Sequence, residues 1–252
     1  MTIYKIVVAY DGTDYRGWQR QKKGRTIIQV LEDSFFSAFC KKKTIVGASR
    51  TDAGVHAFGQ VAKLSTNLPI DPETLASVWN NALPFDVVIR SVSGADQFFH
   101  PQKNVKQKVY HYDFFVHRVL PFEQRYGYHC RRSLCLSKLK AGLEVFVGTH
   151  DFRSFYTGAD LGERTIRTID SIDLKCLEED KKYRIVVKGK SFLRYMIRRI
   201  VGGAFEIAIR EDLDAHHLQK ALEERNPVQN LPTAPAKGLC LYSINYEGEN
   251  ND

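Results

Sequence analysis

The chain has 252 residues, room for one large domain or two closely packed smaller ones, and enough to bury about 75% of its unfolded surface without a disulfide or metal staple. Lys and Arg number 37 against 29 Asp and Glu, a net charge of +8 that favours a polyanionic partner but says nothing of the fold. Charges interrupt every apolar run short of the ~20 residues a membrane span needs. Lys5 interrupts the first apolar run and no small-residue cleavage site follows it, while five scattered cysteines (Cys40, Cys130, Cys135, Cys176, Cys240) read as reduced thiols. Membrane insertion and a secreted disulfide scaffold are thereby excluded, and a cytoplasmic protein is expected.

Residues 3–10 alternate as a strand and stop at the turn signal Asp11-Gly12. Thr26 caps a helix with Ile27, Leu31, Phe35, Ala38 and Phe39 at helical spacing. Residues 60–65 form a short strand, and Asp71 caps a second helix with Leu75, Val78, Trp79 and Ala82, stopped by Pro84. Residues 86–92 and 105–116 read as strands, the second long and aromatic. Ser137 opens a third helix with Leu139, Leu143 and Val147, which Gly148 closes. Residues 166–176 and 183–188 read as paired strands, Ser191 caps an apolar helix to about Ile209, and Asp214 caps another to Arg225. A last strand covers 238–246, and the polar tail 248–252 is expected to fray. Several strands are joined too closely for crossovers, which argues for α+β with a largely antiparallel sheet. The similar element content of residues 1–104 and 105–252 suggests two α/β halves.

Charge is concentrated in two places. Arg16, Arg20, Lys22, Lys23 and Arg25 lie within ten residues that hold no acid and include Trp18. From Lys181 to Arg199 there are eight basic residues and no Asp or Glu. Such clusters can follow a phosphate backbone, and nucleic acid fits them better than an anionic membrane, because each amphipathic helix has a core to face. The Lys41-Lys42-Lys43 run suits a helix C-terminus.

The stretch Gly47-Ala48-Ser49-Arg50-Thr51-Asp52-Ala53-Gly54-Val55-His56-Ala57 has little periodicity and reads as a loop. Small residues beside Asp52 would let a ligand approach its carboxylate; the plain alternative is an Asp that makes a turn with its own backbone. Cys130 and Cys135 beside His129 lack the second ligand pair of a zinc site, and His216-His217 is most simply a polar patch early in a helix. No P-loop or dinucleotide fingerprint is present.

Arg50-Thr51-Asp52-Ala53-Gly54-Val55-His56-Ala57 resembles the signature of the tRNA pseudouridine synthase A family. Further matches follow in order: Tyr10-Asp11-Gly12, Gly17-Trp18-Gln19-Arg20-Gln21, Gln60-Val61, Trp79-Asn80-Asn81-Ala82-Leu83-Pro84, Phe99-His100-Pro101 and Lys108-Val109-Tyr110-His111-Tyr112. The second half adds Gly148-Thr149-His150-Asp151-Phe152, the run from Ser191 to Gly202, and Ala234-Pro235-Ala236-Lys237-Gly238-Leu239. Two positions depart from the pattern: Ser49 where Gly is usual, and Ile28 where Gln is usual.

The resemblance implies a pseudouridine synthase fold, two similar α/β halves with an extended, largely antiparallel sheet and a basic central cleft. It implies an isomerase that converts uridine to pseudouridine in the tRNA anticodon stem-loop, at positions 38, 39 and 40 in tRNA numbering, as a homodimer with tRNA as partner. No metal and no small-molecule cofactor is implied, since the reaction involves no redox change. By the same resemblance Asp52 is the catalytic carboxylate, Arg198 the guanidinium that keeps it ionised, and Tyr110 the aromatic that stacks on the target base and assists proton removal from C5. Arg50 helps to hold the flipped nucleotide's surroundings open, Leu239 forms an apolar pocket wall, and Arg20 and Gln21 contact substrate. A non-catalytic RNA-binding module, suggested by the aromatic strand around Tyr110, and a base-removing glycosylase are the competing readings.

Overall fold

The structure is a computed structural model and describes residues 1–157, 165–178, 181–228 and 230–248. All of the expected polar tail except Gly248 lies outside these residues. In chain order the elements are β1 (Thr2–Tyr10), α1 (Ile27–Phe39), β2 (Val46–Gly47), β3 (His56–Thr66), α2 (Pro72–Ala82), β4 (Val87–Ala95) and β5 (Val105–Phe115). There follow β6 (Tyr128–His129), α3 (Leu136–Glu144), β7 (Gly148–Asp151), β8 (Ile166–Glu178), β9 (Lys182–Gly189), α4 (Met196–Ile209), α5 (Ala215–Glu223) and β10 (Leu239–Tyr246). The chain forms two compact units: Met1–Lys106 together with the segment from Cys240 onward, and Gln107–Leu239. The division expected after residue 104 puts the last strand in the second half; in the structure β10 lies in the first unit, where Cys240 and Leu241 pair in parallel with His56 and Ala57 of β3.

In the first unit β1 runs between β3 and β4, antiparallel to both, with Ile6 opposite Ala62 on one side and Val92 on the other. Alternation along β1 and β3 sends Ile6, Val8, Ala62 and Leu64 inward, all fully buried. The helical spacing of Leu31, Phe35, Leu75 and Trp79 supplies the other side of the core. Phe35 meets Trp79 edge-on at 4.9 Å, and the buried indole N–H donates to Ser34 Oγ at 3.0 Å. Asp71 caps α2 as expected, accepting from Thr74 N–H at 2.9 Å. Thr26 stands at the N-cap of α1, but its side chain makes no cap hydrogen bond.

The second unit has β9 between β5 and β8, antiparallel to both, with β7 antiparallel to β8; β6 joins β5 in parallel. Phe205 of α4 packs against Phe114 at 5.1 Å and Tyr112 at 5.9 Å, joining helix to sheet through aromatic faces. Two helix starts differ from the sequence expectation. Residue 135, not Ser137, caps α3, because Cys135 N–H is pinned to Ala208 O at 2.9 Å. Helix α4 starts at Met196 behind Tyr195, which is left-handed at φ 63°, and not at Ser191. The intervening residues stay out of the helix because Phe192 reaches to the Tyr110 ring, edge-on at 5.3 Å.

Candidate active site

Asp52 sits in the loop between β2 and β3, and backbone hydrogen bonds hold the part of the loop around it. Trp18 N–H donates to Thr51 O at 3.2 Å, Gly54 N–H to Tyr15 O at 3.2 Å, and Val55 N–H to Asp52 O at 3.1 Å. The Asp52 carbonyl therefore closes the turn. The Thr51 hydroxyl shares a buried 2.8 Å hydrogen bond with the Tyr10 phenol. Gly17 adopts φ +92°, and a Cβ there would lie 2.4 Å from Thr51 O and 3.0 Å from the Asp52 carbonyl carbon. Only a glycine lets residues 15–18 lie flush against the strand of backbone that carries the carboxylate. A Cβ at Gly12 would be tighter still, 2.0 Å from Val55 O. Asp52 itself is half-buried.

The upstream end of the loop is fixed by the buried Gln60. Its amide accepts from Ser49 N–H at 3.2 Å and donates to Ser49 O at 2.7 Å. The non-glycine residues with positive φ among the described ones are Cys40, Asn104, Tyr195 and Arg225, so Ser49 occupies its place without needing glycine's freedom. Ile28, the other departure, is buried in the first turn of α1, and its N–H donates to Trp18 O at 3.1 Å. Arg50 is exposed. Arg20 is exposed too and pairs with Glu32 at 2.6 Å, a bond that raises its already high pKa; Gln21 Nε2 donates to Arg16 O at 2.6 Å.

Tyr110, Arg198 and Leu239 belong to the second unit. Tyr110 lies on β5 opposite Val187, is 5% exposed and keeps its ring against Phe192. Two residues earlier on the same strand face, Lys108 is held by burial at a pKa of about 8. Tyr112, also on that face, is a core residue whose phenol donates to Pro235 O at 3.0 Å. Arg198 is on the first turn of α4. Its Nε donates to Ala234 O at 2.8 Å, its carbonyl accepts from Ala234 N–H at 2.9 Å, and its guanidinium stands 5.0 Å from the Tyr195 ring centroid. Arg198 thus ties α4 to the segment that leads into Leu239, which is buried at 5% exposure.

The structure brings Arg50 and Asp52 into one loop and Tyr110 and Arg198 into one unit. Gly17, Gln60 and Tyr10 hold the Asp52 loop and were given no role from sequence, although each lies in a stretch that matches the family; their signal was the motif, not their chemistry. Among the described residues no group of three or more His, Cys, Asp or Glu could hold a metal. Cys130 Sγ faces Arg132 O at 3.5 Å, and His217 completes the capping box of α5 with Asp214. No helix among the described residues is long and apolar enough to cross a membrane.

A family model described as tRNA pseudouridine synthase matches residues 6–102 and 143–247. The tRNA pseudouridine synthase A of Thermodesulfovibrio yellowstonii is 38% identical over 98% of this chain and 100% of its own length. The tRNA pseudouridine synthase A of Acetivibrio thermocellus is 34% identical over 96% and 98%, and tRNA pseudouridine synthase A 1 of Protochlamydia amoebophila 35% over 99% and 98%. With one family model and full-length relatives agreeing, the chain belongs to the tRNA pseudouridine synthase A family and is a tRNA pseudouridine synthase, an intramolecular isomerase.

Proposed function

We propose that this enzyme converts uridine to pseudouridine at positions 38, 39 and 40 of the tRNA anticodon stem-loop, with Asp52 as its catalytic carboxylate. The observation that supports this most is the construction of the Asp52 loop, where an acidic side chain is held half-buried on a backbone clamped from both sides. A rigid carboxylate suits attack on, or stabilisation of, an electron-poor ribose carbon without reorganisation during the reaction. The N1 to C1′ bond breaks, the uracil turns in place, C5 bonds to C1′, and the C5 proton leaves to solvent while N1 gains one. Atoms and electrons balance without an oxidant or a nucleotide cofactor. Arg198 is the cationic partner of the Asp52 carboxylate. Tyr110 stacks on the target base and assists loss of the C5 proton. Arg50 supports the space vacated by the flipped nucleotide, whose extrusion costs a few kcal/mol; Leu239 walls the pocket, and Arg20 and Gln21 meet the RNA outside it. The working form is a homodimer, so light scattering should return twice the 28.9 kDa chain mass.

The deciding experiment uses an unmodified tRNA transcript tritiated at uridine C5. Wild-type protein is expected to release tritium without free uracil, and Asp52→Asn to release none while still binding tRNA. Free uracil would mean a glycosylase. Tight binding with no release from a panel of folded tRNAs would mean a binding module.

A further inference from the structure

The second unit carries a trough that none of the roles above uses. A cavity of about 630 Å³ opens against Gly202, Phe205, Glu206 and Ile209 of α4, with residues 232–235 as the facing wall. A smaller cavity of about 290 Å³ adjoins it and shares Gln124, His129 and Arg131 in its lining. Arg131, Arg132 and Lys237 line the larger part, and Arg118 joins Arg131 in the smaller.

These four cations gather on one concavity. Several basic side chains elsewhere in the unit are answered within the fold: Arg184 is bidentate on Asp113 at 2.6 and 2.8 Å, Lys181 pairs with Glu178, and Lys138 donates to three carbonyls. Arg118, Arg131, Arg132 and Lys237 form no ion pair among the described residues. The one acid in the lining, Glu206, is engaged by Arg210 at 3.6 Å. His129, between them, is made less basic, first by partial burial and then by Arg131, His117, Lys237 and Arg118. Cations that converge on a concavity whose one carboxylate is already engaged repel one another, and an anionic ligand relieves that cost. Guanidinium forks match phosphate oxygens, and a depression of this volume is of nucleotide size. The Tyr128 ring, 5.5 Å from Phe205, and Pro232 and Pro235 add flat apolar surface of the kind sugars and bases cover.

We propose that this trough binds a phosphodiester stretch of the tRNA substrate, at nucleotides other than the one that reacts, and so contributes affinity and not chemistry. It rests on tRNA as the substrate.

The test compares wild type, Arg131→Ala/Arg132→Ala, and Lys140→Ala/Lys220→Ala as a control. The control removes the same charge from exposed helix positions that pair within their own helices. Filter binding of tRNA is measured against salt, with single-turnover tritium release at saturating tRNA. The trough variant is expected to bind roughly tenfold more weakly with a salt slope shallower by about one to two units, and to keep the wild-type single-turnover rate; the control should change neither. Unchanged affinity and slope in the trough variant, or an equal effect in the control, would overturn the proposal. In a second arm, phenylglyoxal modification of Arg118, Arg131 and Arg132 is mapped by mass spectrometry with tRNA or inorganic pyrophosphate present. Protection by tRNA supports the proposal. Protection by pyrophosphate alone overturns it in favour of a small-anion site, and protection by neither overturns it outright. Failure of the catalytic reading is separate: it shows as absent tritium release from wild type, whatever the binding data give.

Discussion

A single methyl group at Gly17 would collide with the backbone that carries Asp52. At φ +92° an Ala is strained by about 1–2 kcal/mol, and its Cβ would press on Thr51 O at 2.4 Å, an atom of a loop with nowhere to retreat. Gly17→Ala is expected to lose roughly 2–3 kcal/mol of stability and at least tenfold in kcat/KM by displacing Asp52. Gly94→Ala is its control, since nothing lies within 4 Å of that Cβ; urea melts and tritium release on both variants check the pair. Arg198 poses a different question, because it ties Ala234 and is also the proposed partner of Asp52. Arg198→Ala should cut the single-turnover rate by about 100-fold or more while tRNA affinity falls only a few-fold. A near-normal single-turnover rate would leave Arg198 with the structural tie alone. From sequence, Asp52 stood out through the motif around it. Gly17 did not, since a close approach between residues 35 positions apart leaves no local pattern; only its membership of a second matching stretch marked it.

Elements with strong periodicity were legible, and those governed by distant contacts were not. The strand at β1, the Asp71 and Asp214 caps and the β8–β9 pairing follow from alternation and local capping chemistry, which act within a few residues. Strands β2 and β7, of two and four residues, are too short for alternation to register. The start of α4 moved from Ser191 to Met196 because an aromatic contact with Tyr110 outweighed a locally good cap. Strand β5 also bears a pH signal. Burial first, then Arg184 and Lys175 against the opposing pull of Asp113, bring His111 down to a pKa of about 4, below its ordinary 6.5. The folded state then holds the neutral ring while the unfolded chain takes up the proton, so stability is full above pH ~6.5 and declines as pH falls toward about 4. The denaturation midpoint of wild type should drop between pH 7 and 4.5, and His111→Gln should flatten that drop. An equally steep profile in the variant would assign the pH dependence to other groups.

Across the whole molecule, the net charge of +8 predicted a polyanionic partner, but the fold redistributes where that charge can act. Much of the longer basic run in the sequence, 181–199, is spent inside the second unit. Lys182 and Arg184 meet Asp113, Lys181 meets Glu178, and Arg199 donates to the carbonyls of Ser154, Tyr156 and Pro227. Sequence density of charge therefore overstates what that run offers to RNA, because neutralisation by partners far along the chain is invisible until the strands pair. The shorter run near Trp18 is different, for Lys22 and Lys23 are exposed. Two double variants separate the runs. Lys22→Ala/Lys23→Ala should make the salt slope of tRNA binding shallower by one to two units and leave the melting temperature unchanged. Lys182→Ala/Arg184→Ala should do the reverse: about 3 kcal/mol of stability is lost because Asp113, 9% exposed, is left without a partner, while the salt slope moves by less than one unit. A full two-unit change in slope with unchanged stability for the second variant would show that Asp113 releases these cations when RNA arrives, and the sequence-level estimate of the basic surface would then stand.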